Sequence, residues 1–99
     1  MLIRSQDKRM IVNFDNICTV SAFPEKESED IYVEDGTGSL MAGRYSTKAK
    51  AMKVLDMIQE AYSEYQIMLN FSVSYLHEFK EKTDGFAIFQ MPEDSEVEV

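Results

Sequence analysis

His77 is the one imidazole of this chain and Cys18 its one thiol. Nucleophilic catalysis by a Ser–His or Cys–His set needs a base held against the nucleophile. His77 instead falls beside Glu78, in a different part of the pattern from Cys18. A structural zinc site takes four Cys or His ligands, more than this inventory holds. His77 therefore reads as an ordinary exposed or half-packed histidine. Cys18, with no partner for a disulfide, reads as a small buried hydrophobe. Gly36-Thr37-Gly38 lacks the length and the following Lys of a phosphate-cradling loop, so it reads as a turn. Carboxylates are abundant, but glycosidase-type acid–base work needs one of them in an apolar setting that raises its pKa. Asp15 sits between strand-like runs, and its neighbour Asn16 makes a turn the simpler account. The expectation is a non-enzyme with no cofactor and no metal.

Binding chemistry is better represented. The 99 residues include 18 acids and 10 bases, for a net charge of −8. Asp56, Glu60 and Glu64 recur every four residues, which costs an isolated helix a few tenths of a kcal/mol per like-charged pair. Such a row is either a solvated face or negative charge offered to a basic partner. Glu25, Glu27, Glu29, Asp30, Glu34 and Asp35 make a second acidic block. Arg44, Lys48, Lys50 and Lys53 cluster where a helix starts, against the macrodipole. Pairing with acids of the same molecule is the favoured account of that cluster. A small anion site, or one half of a charged self-association surface, is the other.

The same totals exclude whole classes. A net charge of −8 opposes binding nucleic acid by phosphate neutralisation and docking on an anionic membrane. No apolar run approaches the ~20 residues that span a bilayer. Met1 to Asp7 turns polar too early for a signal peptide. The default expectation for location is the cytoplasm.

The elements that would position these residues follow from periodicity. Met10, Val12 and Phe14 alternate with Arg9, Ile11 and Asn13, the period of a strand. Ile17 to Phe23 continues as extended chain with almost no charge, the mark of a central or covered strand. Pro24 to Asp30 reads as a charged loop, after which Ile31-Tyr32-Val33 and Ser39 to Tyr45 flank the hairpin signal Asp35-Gly36-Thr37-Gly38. Ser46 is a good N-cap. Beyond it Ala51, Leu55, Ile58, Tyr62, Tyr65 and Leu69 repeat at four-three-four-three-four spacing, a helix of ~20 residues that buries one stripe. Residues 71–82 fit either a helix, the preferred reading, or a strand, and Phe86 to Met91 reads as a last strand. The expected fold is α+β: an antiparallel meander of about five short strands with one long amphipathic helix packed on it, a second helix at 71–82 and a C-terminal strand. Residues 1–91 would form a single domain and 92–99 a frayed acidic tail.

Three blocks of wording add context. They are Met1 to Asp7 with Ile11 to Asn16, Gly43-Arg44-Tyr45-Ser46 with Val54 to Gln59, and Phe89 to Asp94. Together they resemble small, largely uncharacterised acidic proteins of Gram-positive bacteria, their phages and mobile elements. The resemblance omits roughly Tyr65 to Asp84 and carries no catalytic motif. It implies a protein-binding modulator, in its most concrete version an anti-CRISPR-like inhibitor whose carboxylates imitate nucleic-acid phosphates on a basic host nuclease. Asp56, Glu60 and Glu64, with the 25–35 block, would carry those contacts, and the protein would touch no nucleic acid itself. The rival expectation is a structural or regulatory homo-oligomer, a homodimer in its simplest form. Seven Met and eleven aromatic residues are generous for so small a core, and exposed apolar patches often mark interfaces.

Overall fold

The computed structural model describes residues 1–69 and 88–99. In chain order these form β1 (Leu2–Arg4), β2 (Ile11–Asn13), a 3-10 turn (Phe14–Asn16), β3 (Thr19–Glu25), β4 (Ser28–Glu34) and β5 (Ser39–Tyr45). Helix α1 (Lys48–Leu69), β6 (Ile88–Gln90) and a second 3-10 turn (Asp94–Glu96) follow. The fold is α+β, with the long helix packed on a strand meander and a C-terminal strand as expected. The second helix expected at 71–82 lies outside the described residues.

The strands divide between two sheets rather than joining one meander. β3, β4 and β5 form an antiparallel sheet in that order, while β1 sits between β2 and β6 in the other. β1 pairs antiparallel with β2 but parallel with β6. A parallel partner needs a long crossover, and β2 to β5 with α1 all lie between the two strands in the chain. The nearly uncharged run Ile17 to Phe23, expected to be central or covered, enters β3 at the edge of its sheet, where α1 packs against it.

Local chemistry fixes the turns. The β3–β4 turn holds just Lys26 and Glu27, and Lys26 adopts φ 50°, a left-handed conformation. At the β4–β5 turn Gly36 takes φ 93°, which a side chain would strain. There the Asp35 carboxylate accepts from Thr37 N (2.9 Å), Thr37 Oγ1 (2.7 Å) and Gly38 N (3.2 Å). The helix begins one residue later than its sequence suggests. Thr47 Oγ1 accepts from Lys50 N at 3.1 Å, and the Ser46 N–H goes to Asp94 Oδ1 at 2.7 Å.

The core gathers Ala51, Val54 and Ile58 of α1, Ile31 and Val33 of β4, Tyr45 of β5, and Ile3 of β1. Each fully buried Val or Ile stabilises the fold by about 1.5–3 kcal/mol. Phe14 packs its ring on Tyr62 with centroids 4.9 Å apart, joining the first 3-10 turn to the helix.

Of residues 92–99, expected to fray, Val97 is buried in the core, while Val99 at the end is 76% exposed. The Tyr45 hydroxyl donates to Pro92 O at 2.8 Å, and Lys50 Nζ donates to Asp94 O at 2.9 Å. Two valines at the end of an acidic run are too few to set a period, which is why sequence alone placed the segment in solvent. Among the described residues, no helix is long and apolar enough to cross a membrane.

Candidate functional site

The helical repeat of 100° per residue places Asp56, Glu60 and Glu64 opposite the buried stripe of Ala51, Val54 and Ile58. All three are exposed. Among the described residues none of them enters an ion pair. Neighbouring members stand about 6 Å apart at a rise of 1.5 Å per residue. Lys53 falls on the same side one turn before Asp56, and Ile67, 59% exposed, one turn after Glu64. The face therefore offers three carboxylates between a cation and an apolar residue.

The second acidic block does not form one surface. Glu25 and Glu27 are exposed at one end of β4, Asp35 lies at the other, and a strand of seven residues holds them about 20 Å apart. Glu29 and Glu34 are half-buried. Asp30 is removed from the offered charge altogether. Its side chain has no exposed surface, and its two oxygens accept from Arg44 Nε (2.8 Å) and Nη2 (3.0 Å) across the strand pair. A bidentate guanidinium is the strongest ordinary partner for a carboxylate, and it holds the Asp30 carboxyl below its usual pKa. Asp35 is likewise lowered, by the Thr37 hydroxyl and the turn amides, and works as a turn cap. Asp30 and Asp35 are thus structural carboxylates rather than partner contacts.

The cation cluster splits in the same way. Arg44 pairs with Asp30 and Lys50 with Asp94 (3.4 Å), and the amide of Ser46 first, then burial and Lys50, shift Asp94, with the net effect downward. An open cleft of about 690 Å³ runs past Glu25, Lys26, Glu27, Arg44, Ser46 and Asp94. Its charges are of both signs, and Arg44 and Asp94 are already satisfied inside the chain. A smaller cleft of about 340 Å³ lies between Val12, Ile17, Val33 and Leu40, rimmed by Asn13, Asn16 and Asp35.

Asp7, Asp30, Asp35 and Asp94, the described carboxyls with displaced pKa values, all move down, away from the raised value of a general acid. Among the described residues no group of three or more His, Cys, Asp or Glu side chains could hold a metal ion. Cys18, expected to be buried, is exposed at the entry to β3, where its backbone rather than its thiol is held, by an N–H bond to Glu34 O at 2.7 Å.

The chain matches no family model, no curated protein and no solved structure. The acidic helix face is the feature that sequence and geometry share. Sequence reasoning missed the pairing of Asp30 with Arg44, fourteen residues away, because a cross-strand register is invisible until the hairpin is drawn.

Proposed function

We propose that this protein acts by binding another protein, presenting Asp56, Glu60 and Glu64 of α1 to a basic surface that otherwise takes nucleic acid. The supporting observation is the exposed row of three carboxylates, none neutralised by a cation of the described chain. Carboxylates about 6 Å apart come close to the spacing of ~7 Å between phosphates along one nucleic-acid strand, and a net charge of −8 steers the encounter over a Debye length of about 8–10 Å. Ile67 at the end of the row supplies apolar contact that charge alone lacks. Glu25 and Glu27 remain candidates at the hairpin tip, with half-buried Glu29 and Glu34 in support, while Asp30 and Asp35 keep their internal duties. In its concrete form the reading is a phage or mobile-element inhibitor of the anti-CRISPR kind, acting in the host cytoplasm on a defence nuclease.

Affinity capture from a host lysate tests it, with wild type beside an Asp56→Lys/Glu60→Lys/Glu64→Lys variant. Surface substitutions of this kind change stability by no more than about 0.5 kcal/mol, so loss of binding would not reflect unfolding. The expected result is a basic nucleic-acid enzyme retained by wild type, displaced by duplex DNA and by salt, and lost from the variant. Equal recovery on both proteins would refute charge mimicry.

A further inference from the structure

We infer that β3 is an interaction edge, and that it pairs antiparallel with β3 of a second copy of this chain. The meander has two outer edges, and they are treated differently. On β5 the edge is occupied: Gln6 N donates to Ala42 O (2.8 Å), and the Gln6 side-chain amide both donates to Arg44 O (3.0 Å) and accepts from Arg44 N (2.9 Å). On β3 nothing of the kind occurs. The two-residue turn makes Glu25↔Ser28 a hydrogen-bonded pair. Alternation then points the backbone groups of Phe23, Ser21 and Thr19 at β4, and those of Val20, Ala22 and Pro24 outward. Among the described residues, no hydrogen bond from elsewhere reaches these outward groups. Pro24, which has no N–H, stands where its missing donor faces the open side, as edge prolines do.

The composition of this edge says what fits it. Natural sheets blunt an open edge with charge or proline; Pro24 does so at one end of β3, yet Thr19-Val20-Ser21-Ala22-Phe23 carries neither in a chain that is 28% charged. An uncharged, partly apolar strand suits a partner strand of the same kind, and another β3 is one. In the register that lays the uncharged run on itself, Ser21 faces Ser21 of the second copy across a two-fold axis. Val20 and Ala22 then exchange four N–H···O bonds with their counterparts. Phe23, 51% exposed beside Tyr32 on the outer face, covers Thr19 of the other chain. The two Glu25 side chains end at opposite ends of the joint, so the pairing brings no like charges together. The axis runs perpendicular to the sheet, so both α1 helices lie on the same side of a continuous six-stranded sheet. Edge and acidic helix are separate features, and either can fail without the other.

The test places a thiol on the axis. In antiparallel strands a facing pair of this non-hydrogen-bonded type has Cα atoms about 4.5 Å apart, within disulfide reach. In the full chain with Cys18→Ser, Ser21→Cys is expected to oxidise to a covalent dimer. Thr19→Cys, on the same outer face but about 14 Å from its own counterpart, is not. Sedimentation equilibrium of wild type should give a monomer–dimer system that tightens as salt screens the repulsion between two chains of −8. Ser21→Lys should weaken it by at least about tenfold, and mixing Ser21→Lys with Ser21→Glu should restore it. Equal cross-linking at positions 19 and 21 would overturn the inference. So would a wild-type monomer up to about 0.5 mM, or a dimer indifferent to Ser21→Lys. Circular dichroism checks that each variant is folded, and the cysteine pair stands independently if the charged variants are not.

Discussion

Removing one oxygen, in Tyr45→Phe, tests how the two sheets are held together. Tyr45 has no exposed surface, and its hydroxyl donates to Pro92 O at 2.8 Å. Gln6 Nε2 donates to the same carbonyl at 3.2 Å. Phe would fill the same space, so packing is kept and a single hydrogen bond is lost, at a cost of about 1 kcal/mol. The carbonyl keeps its second donor, which caps the penalty. With Gln6→Ala added, Pro92 O is left without a partner in a buried setting. The double variant should then lose about 1 kcal/mol more than the two single variants summed. Urea unfolding resolves this: at a slope of about 1 kcal/mol per M, Tyr45→Phe moves the midpoint down by roughly 1 M.

The alkaline limb gives an independent reading of the same residue. Burial first, then the nearby carboxylates of Asp94, Glu93 and Glu96, push the Tyr45 pKa well above its ordinary value. A raised acid pKa stabilises the fold fully below the unfolded value of about 10. That contribution is lost as pH climbs from there toward the folded value, by up to about 1.4 kcal/mol per unit. Phe has no proton to lose, so the variant should show a flatter decline between roughly pH 10 and 11. Strict additivity with Gln6→Ala, together with an unchanged alkaline slope, would refute this account of the joint.

Asp30→Ala should cost about 1–2 kcal/mol at neutral pH, because a covered, bidentate pair is lost on a face that Arg44 shares with water. Asp30 has a lowered pKa, so its contribution is present above the unfolded value near 4 and vanishes as pH falls through the folded one. Melting curves of wild type and variant should converge in acid. Gly43→Ala should cost about 1–3 kcal/mol, since the new Cβ would stand 3.1 Å from the Tyr45 ring and hydroxyl and 3.3 Å from Met91 Cε. At about 4–8 °C per kcal/mol, the melting temperature reports it.

The long helix was legible because its four-three spacing is dictated by the surface it covers, and Ala51, Val54 and Ile58 are buried within that stripe. Its start was misread by one residue, since Ser46 and Thr47 are chemically equivalent caps and Asp94 alone decides between them. The β4–β5 hairpin was legible from Asp35-Gly36-Thr37-Gly38, but the β3–β4 hairpin was not: the charged run Pro24 to Asp30 reads as a loop, whereas both strands continue through it to a two-residue turn at Lys26-Glu27. The division into two sheets was not legible either, because Leu2↔Ile88 and Arg4↔Gln90 are pairings with no local signal. Of the acidic residues, those on the helix could be placed from phase alone. Asp30 could not, because its burial depends on a strand register that brings Arg44 beside it.

The parallel pairing of β1 with β6 orders events during synthesis. At about 5–20 residues per second, a ribosome needs roughly 4–17 s to travel from Arg4 to Ile88. Throughout that interval the meander and α1, whose contacts are local, can form on their own, while Ile3 waits without its eventual neighbour Phe89. β1 is thus made long before the strand that seals its open side, and the nascent chain passes that interval with one small apolar strand half covered.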